Sequence, residues 1–257
     1  MKVTIITVVL NREKTIEDTI VSVLGQTYKE IEYIVIDGKS SDDTMAVVHR
    51  YSEHISQIVC AKDGGIYDAL NKGIALATGD VIGFLHSDDF YIDKHVIADV
   101  VNCMQKTGKE LLFADLLYID NDNKDKILRH YSAKNFTVDK LRYGLMPPHP
   151  TLFVNKSLYE KVGLYSTEYR IAGDFDMFIR LLLKHKASFV YLGRPLVKMR
   201  VGGASTGGLR QKINNNLEQL KSLRQNELKA NHFTLLRKYP HKVKEVILGF
   251  FWRTPKK

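Results

Sequence analysis

Two adjacent carboxylates, Asp88 and Asp89, are the side chains in this sequence with the clearest chemical potential. They directly follow an apolar run at residues 81–85, which is typical of a strand covered on both faces. Neighbouring carboxylates repel each other unless a cation or a hydrogen-bond donor compensates their charge. Mg²⁺ or Mn²⁺ does so with one or two carboxylates and the phosphate oxygens of a substrate. The pair therefore predicts a metal site, with capping of a helix near Asp93 as the alternative.

Polar residues follow two other apolar runs in the same way. Asn11 and Arg12 come after residues 3–10, and Asp37 comes after residues 31–36. Ligands of open α/β sheets lie beyond the carboxyl ends of the parallel strands, so we expect these side chains to converge with the acidic pair. The sequence has neither a GxxxxGK[ST] loop nor a GxGxxG after its first strand. A bound diphosphate would therefore need a metal ion.

The elements that must position these residues alternate along the first half of the chain. Apolar runs predict strands at residues 3–10, 31–36, 55–61 and 81–85. Apolar residues at helical spacing predict helices between them, at residues 15–25 and 67–77 and in a segment through Tyr51 that Ser40 to Asp43 would cap. This order predicts a parallel sheet with helices on both faces.

The second half is mixed. Strands are predicted at residues 111–119, 126–131, 151–154, 188–192 and 197–201, and helices at residues 94–105 and 175–183. Two glycine pairs bracket residues 202–208, whose composition suits either a lid that orders over a bound ligand or a plain connector. The rest of the chain reads as helices.

Charge and cysteine content bound the function. The net charge of +9 lies in residues 210–257, and the remaining residues are balanced. A neutral body argues against a nucleic-acid partner, whereas a basic tail predicts a local surface contact. Cys60 and Cys103 lack CxxC spacing and are expected to be buried free thiols in a reducing compartment. With neither a membrane-spanning run nor a cleavable leader in the sequence, a cytoplasmic protein is predicted.

Four segments resemble the inverting glycosyltransferases of family 2, within residues 3–205. They are residues 4–12, 33–44, 63–75 and 84–89, and the third resembles enzymes that build bacterial surface polysaccharides. The resemblance implies a GT-A fold, an α/β Rossmann-like architecture with a mostly parallel central sheet and C-terminal helices. It assigns Asp37 to the nucleotide base. The metal motif falls at residues 86–89, where His86 replaces the family's first aspartate, so Asp88 becomes the principal metal ligand and Asp89 a second or supporting one.

The expected donor contacts come partly from these segments and partly from charge. The segments supply Thr7, Leu10, Asn11, Arg12, Asp37, Asp63, Gly64 and Ser87. The family's usual proline and tyrosine are replaced by Val8 and Leu10. Lys72 and Arg200 are added because a cation could contact the diphosphate; a solvated helix face and an exposed strand are the respective alternatives.

Residues 171–180 resemble the segment that carries the family's catalytic base, at the position of Asp174. An inverting transfer needs one carboxylate to accept the proton of the acceptor hydroxyl as that oxygen attacks the anomeric carbon. A metal meanwhile stabilises the departing nucleoside diphosphate. Asp176 is the alternative base, and either residue could instead cap the following helix. His149 and Asp176 are the expected acceptor contacts, although a lone histidine is more often a structural hydrogen-bonding residue.

These segments divide the chain into a catalytic domain at residues 1–208 and a basic helical extension at residues 209–257. Residues 1–110 form the nucleotide-sugar half of the domain and residues 111–208 the acceptor half. The predicted reaction is a metal-dependent, non-processive transfer from a UDP-, GDP- or dTDP-sugar to a lipid-linked or oligosaccharide acceptor. The tail is expected either at the inner face of the plasma membrane or packed on the domain or at a dimer interface.

Two rival functions remain. A nucleotidyltransferase would share the sheet and the metal site, but it would normally have a glycine- and lysine-rich loop after the first strand, and residues 11–14 lack the glycines. A catalytically silent donor- or glycan-binding module would bind without turnover.

Overall fold

The amino-terminal half of the molecule is a parallel sheet between two helical layers. In the computed structural model, which describes residues 1–202, 209–236 and 238, its strands are β1 (Val3–Val9), β2 (Ile31–Asp37), β3 (Gln57–Cys60) and β4 (Val81–Phe84), in the order β3-β2-β1-β4. Every residue of β1 and β4 is buried, as expected for strands covered on both faces. Helices α1 (Ile16–Leu24) and α2 (Thr44–His49) pack on one face, and α3 (Ile66–Leu76) packs on the other.

The remaining strands mix both directions. They are β5 (Asp89–Tyr91), β6 (Leu111–Ile119), β7 (Ile127–Tyr131), β8 (Phe153–Asn155) and β9 (Phe189–Arg200). β8 runs antiparallel between β4 and β6, whereas β9 is parallel to β6. β5 and β7 pair antiparallel with β9 and β6, respectively. The predicted α/β class is confirmed.

Three elements of this half differ from the sequence-based expectation. β9 is one strand where two were predicted, because register shifts against β6 around Asp115 accommodate residues 193–195. Asp89 begins a strand, which the sequence did not indicate. The third is a helix that was not predicted, α5 (Lys156–Val162), which follows α4 (Val96–Thr107) and precedes α6 (Gly173–Phe178). A π-helical segment, Ile179–Lys184, continues α6.

The C-terminal helices are α7 (Leu209–Gln225) and α8 (His232–Leu236). Leu220 and Leu223 of α7 belong to the same hydrophobic cluster as Phe175 and Phe178 of α6. The described part of the predicted extension therefore shares its core with the domain. Residues 203–208 of the predicted lid and residues 239–257 of the predicted interfacial tail lie outside the described residues. Every helix in the described part of the chain is too short or too polar to cross a lipid bilayer.

Candidate functional site

An open cleft with a volume of about 360 Å³ lies beyond the carboxyl ends of β1 and β4, where the strand-end rule predicts a ligand. The loop after β1, the start of α3, the turn after β4 and the segment before α6 contribute to its walls. The predicted site residues that line it are Leu10, Arg12, Asp63, Ser87, Asp88, His149 and Asp174. The others lie outside its lining: Thr7, Asn11, Asp37, Gly64, Lys72, Asp89, Asp176 and Arg200.

Asp88 and Asp89 occupy different environments although they are adjacent. Asp88 is half-buried and lines the cleft, and its carboxylate makes no hydrogen bond to any other residue that the structure describes. The carboxyl group of Asp89 is fully buried, and neither of its oxygens has a hydrogen-bond partner within the described chain. Burial, together with the charge of Asp88, raises the pKa of Asp89 well above its usual value. Neither residue caps a helix, because α4 begins only at Val96.

This donor set fits a divalent cation that takes most of its ligands from elsewhere. Among the residues described, no group of three or more His, Cys, Asp or Glu side chains could hold a metal ion. Mg²⁺ commonly binds one or two carboxylates and completes its shell with water and substrate phosphates. The cleft-facing carboxylate of Asp88 is one such ligand, and the unpartnered oxygens of Asp89 are a second candidate.

Arg200 contacts the turn at residues 86–89, here called the acidic turn, and does not line the cleft. Its Nη1 donates to the backbone carbonyl of Asp88 at 2.7 Å, and its Nη2 contacts the carboxylate of Asp18. The guanidinium also lies over the ring of Phe90, 5.3 Å from the ring centroid. With 6% of its surface exposed, Arg200 orders the backbone of the acidic turn, and this placement does not support the predicted contact with a diphosphate.

Asp174 lies in the first turn of α6, on the wall of the cleft. The N–H of Phe175 donates to its Oδ1 at 2.7 Å. Burial raises the pKa of Asp174 to about 7, although that hydrogen bond acts in the opposite direction. A carboxyl group that titrates near neutrality is suited to accepting a proton at physiological pH.

Tyr67 fixes the backbone next to this aspartate. Its hydroxyl donates to the carbonyl of Ile171 at 2.7 Å. Its ring packs so closely on Gly173 that an added Cβ there would lie 2.7 Å from the ring atoms. Tyr67 also lines the cleft. Sequence reasoning missed this residue, because its partners are about a hundred positions away along the chain.

His149 belongs to an uncharged aromatic wall of the cleft. Its Nε2 is 2.8 Å from the hydroxyl of Tyr165, and its ring stacks on those of Phe84 and His86. Burial, together with the neighbouring His86, lowers the pKa of His149 to about 3, and burial lowers the pKa of His86 as well. Both imidazoles are therefore neutral at physiological pH, and this wall of the cleft carries no charge.

Asp37 is fully buried and organises the loop that follows β2. Its carboxylate accepts hydrogen bonds from the backbone N–H groups of Lys39 and Ser40, from the Ser40 hydroxyl at 2.5 Å, and from the thiol of Cys60. Its contact with a nucleotide base stays a prediction. The expected burial of both cysteines is wrong: they are free thiols, but Cys60 is exposed and Cys103 half-buried.

Asn11 and Thr7 also act on the strand ends. Asn11 has a left-handed φ of 52°, and its side-chain oxygen accepts the N–H of Ser41 at 2.8 Å. Thr7 is buried and donates to the carbonyl of Leu85 at 2.8 Å, which ties β1 to the end of β4. Both residues therefore shape the cleft indirectly.

Lys72 lies on α3, and Gly64 lies in the loop that precedes this helix. The Nζ of Lys72 pairs with Asp68 at 3.1 Å and donates to the carbonyl of Lys62 at 2.9 Å. The N–H of Gly64 donates to the same carboxylate of Asp68 at 2.9 Å. Lys72 thus closes this loop and is not directed to the cleft, whereas Asp63 does line it.

Asp176 lies two residues after Asp174 but on the opposite side of α6. Its Oδ2 pairs with the guanidinium of Arg180 at 2.8 Å. Its Oδ1 accepts hydrogen bonds from Ser222 at 2.8 Å and from Asn226 at 2.9 Å. The carboxylate is buried and joins α6 to α7, so this placement does not support its predicted contact with an acceptor.

Two arginines bring positive charge into the cleft. Arg12, which was predicted, and Arg170, which was not, are both exposed and line the cleft. Neither guanidinium forms an ion pair with any carboxylate that the structure describes. Arg170 precedes the segment recognised around Asp174, and only the folded turn brings it to the same cleft.

A second cavity, also of about 360 Å³, adjoins the cleft and shares Tyr131, Met146 and Pro147 with it. Its floor includes Asp115, which accepts hydrogen bonds from His130, Tyr191 and the N–H of Ala133 at 2.7–2.9 Å. Burial alone would raise the pKa of Asp115, but these bonds outweigh it and the pKa lies below its usual value. Lys134 and Lys140 are also part of the lining.

Comparison with known sequences identifies glycosyltransferases among the relatives of this chain. Residues 4–163 match the family model described as glycosyl transferase family 2, a span that includes Asp88 and ends before Asp174. An uncharacterised glycosyltransferase of Mycobacterium tuberculosis is 33% identical over 183 residues, or 70% of this chain and 69% of the relative. A PGL/p-HBAD biosynthesis glycosyltransferase of Mycobacterium bovis is 28% identical over 62% of this chain and 61% of its own length.

Two solved structures share the fold over most of this chain. S. aureus TarS in complex with UDP-GlcNAc matches with a TM-score of 0.71 and 19% identity, covering 99% of this chain and 76% of the TarS chain. The mannosyltransferase PcManGT from Pyrobaculum calidifontis, in complex with GDP-Man and Mn²⁺, matches with a TM-score of 0.64 and 15% identity, covering 90% and 65%. The predicted GT-A fold is thereby confirmed.

Proposed function

Because this chain belongs to glycosyl transferase family 2, we propose that it moves a sugar from a nucleoside-diphosphate sugar to an acceptor hydroxyl with inversion at the anomeric carbon. One observation carries the proposal: Asp88 and Asp174 line the same cleft, and burial brings the pKa of Asp174 to about 7. The complexes of TarS with UDP-GlcNAc and of PcManGT with GDP-Man support a nucleotide-sugar donor.

In this reaction Asp174 is the general base. Its carboxylate accepts the proton of the acceptor hydroxyl while that oxygen forms a bond to the anomeric carbon. The bond from this carbon to the diphosphate oxygen breaks, and the electron pair leaves with the nucleoside diphosphate. A single displacement of this kind inverts the anomeric configuration. Asp176 is not the base in this proposal, because its carboxylate is occupied by Arg180, Ser222 and Asn226.

The departing diphosphate carries negative charge, for which the cleft has compensating groups. Asp88, with Asp89 as a second candidate, would hold Mg²⁺ or Mn²⁺, which supplies Lewis-acid stabilisation of the leaving group when bound. The complex of PcManGT with Mn²⁺ supports this cofactor. Arg12 and Arg170 line the same cleft and add two positive charges next to the diphosphate.

The second cavity is the proposed place for the part of the acceptor beyond the reacting hydroxyl. It adjoins the cleft and lies within residues 111–208, the predicted acceptor half. We propose that the acceptor is a lipid-linked or oligosaccharide substrate of bacterial surface polysaccharide assembly, reached at the inner face of the plasma membrane. The relative named for PGL/p-HBAD biosynthesis supports a biosynthetic role.

The test is a screen of UDP-, GDP- and dTDP-sugars with the full chain and Mn²⁺. We expect release of a nucleoside diphosphate from at least one donor. The release should be faster when a sugar acceptor is present, and about 10²- to 10⁴-fold slower in Asp174→Asn. Release of pyrophosphate would instead support the rival nucleotidyltransferase. Donor binding without any turnover, across donors and acceptors, would support the rival binding module.

A further inference from the structure

One carboxylate of α7 holds the turn that precedes the proposed catalytic base. Glu218 accepts hydrogen bonds from three consecutive backbone N–H groups: Arg170 at 3.2 Å, Ile171 at 2.8 Å and Ala172 at 2.9 Å. These donors are 46 to 48 residues away along the chain. A carboxylate that accepts several N–H groups of one turn fixes the conformation of that turn and compensates its dipoles.

Further contacts join α7, and Asn226 just beyond its end, to α6 and to the segment that precedes α6. Ser222 and Asn226 follow Glu218 at intervals of four residues, and both donate to Asp176. Lys221 pairs with Glu168 at 2.8 Å. The helix that presents Glu218 is therefore held in register with the segment before and after Asp174.

The turn at residues 170–172 carries or flanks several groups that line the cleft. Arg170 lies on the turn, and Asp174 follows it in the first turn of α6. The carbonyl of Ile171 accepts a hydrogen bond from the hydroxyl of Tyr67, and the N–H of Ile171 donates to Glu218. Side chains of both α3 and α7 therefore hold the turn. A shift of this turn would move the arginine and the aspartate together.

We propose that Glu218 is a positioning residue that sets Asp174 and Arg170 in the cleft and makes α7, which lies beyond the residues matched by the family model, a working part of the transfer site. This inference rests on the proposed function, because it assumes that Asp174 is the base. The charge of Glu218 also acts on Asp174 and favours its protonated form. Tyr67 from α3 and Tyr165 also interact electrostatically with Asp174. The charged or titratable groups that line the same cleft include Arg12, Asp63, His86, Asp88, His149 and Arg170.

The first experiment compares the full-length variants Glu218→Gln and Glu218→Ala with a matched control, Glu227→Gln. Glu227 is 83% exposed and lies just beyond α7. Glu218→Gln retains an acceptor oxygen but loses the charge, so the pH at which kcat/KM reaches half its maximum should shift downward. Glu218→Ala leaves the turn unsupported and should lower kcat about tenfold to hundredfold. We expect KM for the donor to change less than kcat, and Glu227→Gln to behave like wild type.

An unchanged pH profile in Glu218→Gln, with kcat equal to that of the control, would overturn the proposal. A second measurement does not depend on activity: ¹³C NMR titration of the Asp174 carboxyl, identified by its absence in Asp174→Asn. Its midpoint should fall in Glu218→Gln and stay constant in Glu227→Gln, and a constant midpoint in both variants would contradict the coupling. If Asp174→Asn keeps full turnover, the base assignment fails, whatever the NMR titration shows for Glu218.

Discussion

The chain has two acidic pairs near the cleft, Asp88-Asp89 and Asp174-Asp176, and the buried carboxylates of the two pairs differ in their hydrogen-bond partners. In each pair one carboxylate lines the cleft and the other is buried. Both carboxylate oxygens of Asp176 have partners: Arg180 contacts one, and two hydrogen-bond donors contact the other. Asp89 has no partner among the described residues.

This difference separates a pair whose buried carboxylate is held by protein contacts from a pair whose buried carboxylate has none among the described residues. A buried carboxylate without partners is costly as an anion, which agrees with the raised pKa of Asp89. Asp176 needs no ligand, because Arg180, Ser222 and Asn226 supply its partners. The segment around Asp174 is therefore preorganised by protein contacts, whereas under the proposed function the turn at residues 86–89 would gain its partners from a metal ion and a diphosphate.

The largest effect on activity is expected at Asp174, the member of the Asp174-Asp176 pair that lines the cleft. Asp174→Asn should lower kcat by about 10²- to 10⁴-fold, with donor affinity in calorimetry close to wild type, because the amide keeps the shape but cannot accept the proton. In wild type, kcat/KM should rise with pH through about 7, the pKa of Asp174, since only the deprotonated form is a base. Asp139→Asn, which changes an exposed carboxylate, is the control; undiminished turnover in Asp174→Asn would contradict the assignment.

Asp176, the buried member of the same pair, should contribute to the stability of the fold. Asp176→Ala leaves Arg180 without its carboxylate and removes the acceptor of Ser222 and Asn226. We expect the free energy of unfolding to fall by about 3–5 kcal/mol, as for other broken buried ion pairs. Urea denaturation followed by circular dichroism measures this free energy. A loss of only a few tenths of a kcal/mol would show that the ion pair between Asp176 and Arg180 is not maintained in solution.

Asp88, the member of the Asp88-Asp89 pair that lines the cleft, should control how strongly Mn²⁺ raises the affinity for the donor. In Asp88→Ala the gain in donor affinity on adding Mn²⁺ should shrink by about 10- to 100-fold, because the principal protein ligand is gone. Donor titrations with Mn²⁺ and with a chelator give this ratio. A variant that keeps the full Mn²⁺ effect would place the metal elsewhere.

The smallest effect on stability is expected at Asp89. With a chelator present, Asp89→Asn should change the free energy of unfolding by less than about 1 kcal/mol, because it replaces a carboxyl group that has no partner to lose. The same denaturation measurement applies, with Asp176→Ala as the reference. A loss as large as the one at Asp176 would mean that Asp89 is paired in solution, and the contrast between the pairs would collapse.

Much of the fold and the location of the cleft could be predicted from local pattern. The segments that became β1 to β4 are mostly apolar, and the helices between them show clear periodicity, so their order already implied a parallel sheet. The strand-end rule then brought Arg12 and Asp88 to one cleft. β5 and the continuous β9 were missed because short strands form through pairing with distant strands and have a weak local signal.

The sequence by itself determined which residues could do chemistry: Asp88 after an apolar strand and Asp174 in a segment with a recognisable resemblance. Only the tertiary structure decided their roles relative to their neighbours. Asp174 and Asp176 are two positions apart on α6, yet one lines the cleft and the other faces α7. Tyr67 and Glu218 reach the base segment from about a hundred and about fifty residues away. Local propensity carries no record of such partners, because burial and long-range hydrogen bonds arise only when the elements pack together.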